Sequence, residues 1–235
     1  MKHKALIFLA VRNGRMTVVK EHLEDLTRQL FDRLPGDRKW ASALVSKEDD
    51  PYRYSGAPVR AYDATIELKQ DSDTSAESLI KAVGGLADRL DAFIHTDLSA
   101  LLIGIERVFV PSEPTPIRFQ YLMRRRADFS HADYIKRYAG IHARIGMKLN
   151  VSKGYVQFHA DPELSRKAAA GAGFGIWAID SVAELHILSM DDFLKAASKE
   201  GSEEAGEDEE HFVDRPNSVM FISDEVLRLG DPEHR

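Results

Sequence analysis

The residues of this chain best suited to chemistry fall in its second half. His142 lies four residues after Tyr138, so on a helix the two side chains sit one turn apart on one face. Ile141, just before the histidine, belongs to an apolar stripe, which places the imidazole at the edge of buried surface. With an ordinary pKa of about 6.5, a partly desolvated imidazole is neutral near pH 7 and can remove a proton. Tyr138 could reach the same ligand and donate to a carbonyl oxygen. The plain alternative is a structural histidine bonded to a backbone carbonyl.

Glu184 and His186 form a second pair, because residues two apart in a strand share a face. Tyr155, Gln157 and His159 share a parity on the preceding strand, and they are expected opposite that pair as one polar cluster. A buried carboxylate needs a partner, and Arg118 or Arg124 would supply it if Glu184 is structural. The skeleton D-x-x-x-E-L occurs twice, at Asp63–Leu68 and at Asp180–Leu185. Two copies of one glutamate favour architecture over catalysis.

Other motifs are weaker. His142, His159, His186 and His211 show no H-x-x-x-H or H-x-H spacing, so no metal site is expected. Gly171–Gly175 lacks the Lys-Ser/Thr of a phosphate loop and precedes a strand, so it reads as a loop. Arg124–Arg126 reads as a solvated turn. The chain has no cysteine, which excludes disulfides and thiol chemistry and fits a reducing cytoplasm.

The elements that must position these residues follow from periodicity. With 43% hydrophobic and 30% charged residues over 235 positions, the chain reads as soluble globular material in two domains. Seven acids crowd into residues 200–210, read as a mobile acidic connection, and account for the net charge of -6. No basic, aromatic-studded surface points to nucleic acid. The basic-then-apolar amino terminus is too short for a signal peptide and reads as a strand, and no segment is long enough to cross a bilayer.

In the first half, strands are expected at Ala5–Val11, Ala41–Ser46, Ala61–Leu68 and Ile103–Val110. One helix carries Val19, Leu23, Leu26, Leu30 and Leu34; another carries Leu79 to Phe93 and contains Gly84-Gly85. Residues 48–58 and Pro111–Pro116 read as loop and linker. The second half repeats the order: strands at Ile117–Met123, Gly154–His159, Ser181–Leu188 and Ser218–Ser223, a helix capped by Ser130, a loop at 161–175, and a short helix at Asp191–Ser198. Each half is therefore expected to be a ferredoxin-like βαββαβ unit of the α+β class, with domains at 1–112 and 117–230. Each sheet has a bare apolar face that needs cover, so the two antiparallel sheets are expected to pack together as an α/β barrel.

The second half resembles the EthD domain family of the dimeric α/β-barrel superfamily. The resemblance rests on Arg124-Arg125-Arg126, Tyr138 followed by His142-Ala143, Gly154-Tyr155, Asp180-x-x-x-Glu184-Leu185, Ser189–Phe193, and Asp208–Phe212 with Asp214, in that order. The first half is similar to a degraded copy that keeps Asp63 and Glu67 but lacks the aromatic-x-x-x-His-Ala signature; Tyr138 stands where many relatives carry Trp. The resemblance implies a small apolar pocket and chemistry on carbonyl or aromatic compounds without metal or organic cofactor.

The expectation is a cofactor-independent lyase, isomerase or cyclase acting on a small hydrophobic ligand, cytoplasmic and homodimeric. His142 would be general base and Tyr138 its partner, with His186, oriented by Glu184, as an alternative acid or base. Tyr155, His159, Tyr121, Arg124 and Trp177 would touch substrate. The competing expectation is a non-catalytic binding or structural barrel.

Overall fold

A computed structural model describes residues 2–52, 62–148, 153–197 and 200–230; the loop expected at 48–58 lies mostly outside them. Eight strands are present among these residues: β1 (Lys2–Leu9), β2 (Lys39–Ser46), β3 (Ala64–Asp71), β4 (Ala100–Val110), β5 (Ile117–Met123), β6 (Gly154–Ala160), β7 (Ser181–Ile187) and β8 (Val219–Gly230). They form one closed antiparallel barrel in the order β1-β3-β2-β8-β5-β7-β6-β4.

The inner faces of the two sheets meet across the barrel interior, as expected, and the sheets also join by their edges. β4 and β8, with 11 and 12 residues, make the joins. Residues 100–105 of β4 pair with β1, while 104–110 run on to pair with β6. β8 does the same, 219–224 pairing with β5 and 223–230 with β2. Closure leaves no free strand edge among the described residues and occurs within one chain. Gly104 begins the β4–β6 seam where a Cβ would lie 2.0 Å from the carbonyl oxygen of His159, so only glycine fits.

Helices clothe the outside. α1 (Met16–Arg33), α2 (Ser75–Val83) and α3 (Leu86–Leu90) cover the first half. The expected single helix through Gly84-Gly85 is split there, with Gly85 at φ +65°. α4 (His131–Arg137), a π-helical turn (Tyr138–His142), α5 (Ala143–Gly146), α6 (Pro162–Ala172), α7 (Met190–Ala197) and α8 (Glu200–Glu210) belong to the second half. Two of these replace expected irregular segments. α6 forms because Asp161 accepts from the backbone N–H groups of Glu163 and Leu164, both at 2.9 Å, ahead of Pro162 and an alanine-rich run. The acidic run is helix α8 because bases outside it meet its carboxylates: Arg137 bonds Asp208 and Lys148 lies 3.3 Å from Glu204.

The core has three parts. Ala5, Ile7, Ile66 and Leu101 face outward beneath α1 and α2. Phe119, Tyr134, Tyr138, Tyr155 and Phe212 fill the helix–sheet layer of the second half. Leu6, Phe8, Phe158 and Phe221 fill one end of the barrel interior; its other end is charged.

Candidate functional site

The helix–sheet layer of the second half is built from α4 onward. Ser130 caps α4 as expected, accepting from the Asp133 N–H at 3.1 Å. Tyr134 is buried beneath it, its hydroxyl 2.6 Å from the Ser181 hydroxyl. The helix then widens at Tyr138–His142, where the Ala143 N–H reaches back to the Tyr138 carbonyl. π turns of this kind are rare and concentrate at functional sites. Here the turn brings the rings of Tyr138 and His142 into a stack 5.6 Å apart, with Phe212 edge-on to His142 at 5.4 Å. Both stacked residues are buried.

His142 is held from α8. Its Nδ1–H donates to Asp208 at 3.1 Å, which leaves Nε2 with a free lone pair, 3.9 Å from Glu209. Burial lowers the pKa of His142 against the opposing charge of Asp208. Burial lifts Glu209 to about 7 despite Arg215, with Asp208 adding repulsion. The Tyr138 hydroxyl is buried without a well-formed hydrogen bond among the described residues, and its pKa is raised well above normal by burial and the neighbouring Tyr155. It therefore keeps its proton at neutral pH and can donate a hydrogen bond.

Beneath the helix, Gln157 links three groups. Its amide donates to the Tyr138 carbonyl at 3.1 Å and to the Tyr155 hydroxyl oxygen. Its oxygen then accepts at 2.9 Å from His159, which must carry its proton on Nε2. Burial and the charges of Arg107 and His131 push the His159 pKa down to about 4. Burial raises Tyr155 to about 12. Gly146 lets α5 rest on the Tyr155 ring, since a Cβ there would lie 2.7 Å away.

This layer brings together His142, Tyr138, Tyr155 and His159, with Tyr121 buried in the same apolar cluster. It does not gather the rest. Glu184 pairs in register with Val156 and His186 with Gly154, so they face the barrel interior while Tyr155, Gln157 and His159 face the helices. The expected single polar cluster is corrected to two, one on each side of the sheet, because neighbours in register share a face. Arg124 lies half-exposed, 3.7 Å from Asp214, and Trp177 lines a surface groove with Arg125 and Ile176. Sequence reasoning missed Asp208 and Glu209, although the Asp208–Phe212 block was part of the motif.

The duplicated motif resolves into two structural roles. Asp63 accepts from the Val11 N–H at 2.7 Å and Asp180 from the Arg125 N–H at 2.9 Å, each fixing the turn after the first strand of its half. Glu67 and Glu184 both face Lys4 inside the barrel, at 3.4 and 2.6 Å. Neither expected arginine partners Glu184: Arg118 pairs with Glu225 at 2.6 Å and Arg124 is outside. Lys4 also meets Glu106 at 3.0 Å. Burial alone would lower Lys4, but the three carboxylates outweigh it and raise its pKa. Burial and the charge of Glu67 raise Glu184 to about 8, whereas Lys4 and Lys69 overcome burial to hold Glu106 at about 2. His186 bonds Ser112 at 2.6 Å, and burial with the charges of Arg118 and Lys4 drops it to about 3. Among the described residues, no three or more His, Cys, Asp or Glu side chains are placed to hold a metal ion. Among the described residues, no helix is long and apolar enough to cross a membrane.

Solved structures share this fold at low sequence identity. An anthrone oxidase-like protein superposes with TM-score 0.66 and 7% identity, covering 100% of this chain and 94% of its own. A protein provisionally named a monooxygenase, from Fusobacterium nucleatum subsp. nucleatum, gives 0.57 at 5% identity, covering 98% and 94%. A chlorite dismutase variant from Candidatus Nitrospira defluvii gives 0.51 at 10% identity, covering 94% and 91%. No protein of curated function matches the chain by sequence. The EthD domain matches residues 126–216, a stretch that holds the π turn, His142, Gln157 and Asp208. The C-terminal half of this chain is therefore similar to the EthD domain over residues 126–216.

Proposed function

We propose that the chain is a cofactor-independent lyase, isomerase or cyclase for a small hydrophobic carbonyl or phenolic compound, working in the helix–sheet layer of its second half. One arrangement carries the reading: His142 is buried, kept neutral, oriented through Nδ1 by Asp208, and stacked one turn from the Tyr138 hydroxyl. In this mechanism Nε2 takes a proton from carbon or oxygen of the substrate. Tyr138, or Tyr155 beside it, donates a hydrogen bond to the oxygen that gains charge. The imidazolium, stabilised by Asp208, returns the proton at a second position. Glu184 and His186 lie across the sheet and take no part. His159 and Tyr121 would contact the substrate; Arg124 and Trp177 would act only at the rim.

The same proposal includes two ferredoxin-like repeats, 1–112 and 117–230, supported by the repeated strand orders β4-β1-β3-β2 and β8-β5-β7-β6. It also includes a homodimer and a cytoplasmic location. Barrel closure within one chain removes sheet pairing as a reason for the dimer, so light scattering is the direct measurement. A second reading, a non-catalytic binding barrel, draws support from the close packing of Tyr138, Phe212 and Asp208 around His142.

The test is turnover of aromatic carbonyl compounds, anthrone among them, by wild type and His142→Ala. The proposal expects a loss of about 10²- to 10⁴-fold. Equal rates would leave only the binding reading.

A further inference from the structure

We propose that the mouth of the barrel is a second ligand site, separate from the helix–sheet layer, and that it takes a small carboxylate. A cavity of about 80 Å³ opens there, room for several waters where one needs roughly 10–15 Å³. Val108, Val110 and Val156 form an apolar wall; Trp40, Lys69 and Glu184 lie among the other lining residues.

Charge selects the ligand. Glu184 on β7 is faced by Lys4 from β1, Glu67 and Lys69 from β3, Glu106 from β4 and Arg118 from β5, beside a neutral His186 on its own strand. Glu225 and Arg228 of β8 complete the set through Arg118. Four cations thus meet four carboxylates, and whenever Glu184 keeps its proton the group carries one positive charge in excess. Glu184 is crowded by Glu67 and Glu106 and lifted to about 8, so it keeps that proton at neutral pH.

A cation is disfavoured because the Lys4 ammonium already stands among the three carboxylates, within 3.4 Å of each. Hydrogen-bond capacity agrees with an anion. The Trp40 indole N–H and one Arg228 Nη1 are buried without an acceptor among the described residues, whereas Glu67 Oε1, the unbonded acceptor of the cavity lining, is answered by the Lys4 ammonium at 3.4 Å. Arg228 lies 6.0 Å and Lys4 5.9 Å from the Trp40 ring centre, so these donors belong to one end of the barrel. Lys69 has an ion pair only to Glu106 among the described residues. A carboxylate would answer the donors and the excess charge, and a short alkyl chain would cover the valines.

Trp40 reports on the site directly. In a Trp177→Phe background it is the only tryptophan of the two in the chain. Titration with sodium propionate at pH 6.5 should give a saturable change in its fluorescence, absent with chloride at equal ionic strength. Affinity should fall about tenfold by pH 9, as Glu184 ionises. Glu184→Gln should retain binding and lose this pH dependence, Lys69→Met should weaken binding at least tenfold, and His142→Ala should leave it unchanged. No saturable response, the same response to chloride, or binding indifferent to both pH and Lys69→Met would overturn the proposal. Loss of binding in His142→Ala would overturn the separateness of the two sites. The readout needs no turnover, so it stands or falls apart from the catalytic proposal.

Discussion

Asp208, near the end of an acidic helix, accepts the Nδ1 proton of His142 at 3.1 Å across 66 residues of sequence. The carboxylate also binds Arg137, so it is fixed from two sides and fixes the imidazole tautomer in turn. This one contact turns a stretch legible only as charge into part of the candidate site.

Asp208→Asn should preserve the side-chain shape and remove the charge behind His142. Turnover should fall about 100-fold or more if the imidazolium needs that charge. Asp208 raises the His142 pKa, so its loss should move the acid limb of the kcat/KM profile to lower pH. A rate loss with an unmoved limb would assign Asp208 to folding alone.

Lys4→Met should destabilise the fold by about 3–5 kcal/mol, because it leaves the buried carboxylates Glu67 and Glu106 without the ammonium they share. Adding Glu184→Gln replaces a protonated side chain with a neutral one and should change that loss little at pH 7. Denaturant midpoints of the two variants give the comparison; a large recovery by Glu184→Gln would mean that Glu184 is ionised in the folded chain.

His186 makes stability pH-dependent with a definite sign. Its folded pKa of about 3 is below the ordinary 6.5, so between those values the unfolded chain binds a proton that the folded chain refuses. Stability from this group is intact above pH 6.5 and is lost as pH falls. Between pH 7 and 5 the loss is about 2 kcal/mol, and His186→Asn should show a drop smaller by that amount in urea melts. Glu184 acts oppositely, with stability lost as pH rises towards 8, and is common to both proteins.

Gly104→Ala should be among the most damaging single substitutions in the chain. The added Cβ meets the His159 carbonyl oxygen at 2.0 Å, and backbone on both sides of the β4–β6 seam leaves nothing flexible to yield. A loss of at least about 3 kcal/mol is expected from thermal or chemical unfolding. A mild effect would mean that the barrel can open at this seam.

Periodicity was enough to place the strands, the Ser130 cap and the main amphipathic helices, because each is written in local apolar spacing. The Tyr138–His142 pair was legible from its spacing of four, but the expected apolar stripe was not: at the π turn Ile141 is 45% exposed while His142 is buried. α6 and α8 were hidden: a Gly/Ala-rich run and an acidic run have weak helical patterns, and their stability comes from a cap and from bases on other elements. Tyr155, Gln157 and His159 were grouped correctly by parity, yet assigned to the wrong face relative to Glu184, because parity fixes which residues share a face but not which strands lie in register.

The amino-acid order by itself determined the alternation of elements, the doubled Asp and Glu of the two halves, and the EthD signature of the second, since all three are encoded within short windows. Only the tertiary structure decided that long β4 and β8 strands join the halves edge to edge, that Glu184 answers to Lys4 from 180 residues away, and that Asp208 stands behind His142. Those outcomes depend on barrel register and on which charges can be buried together, and neither quantity is a property of any local stretch of chain.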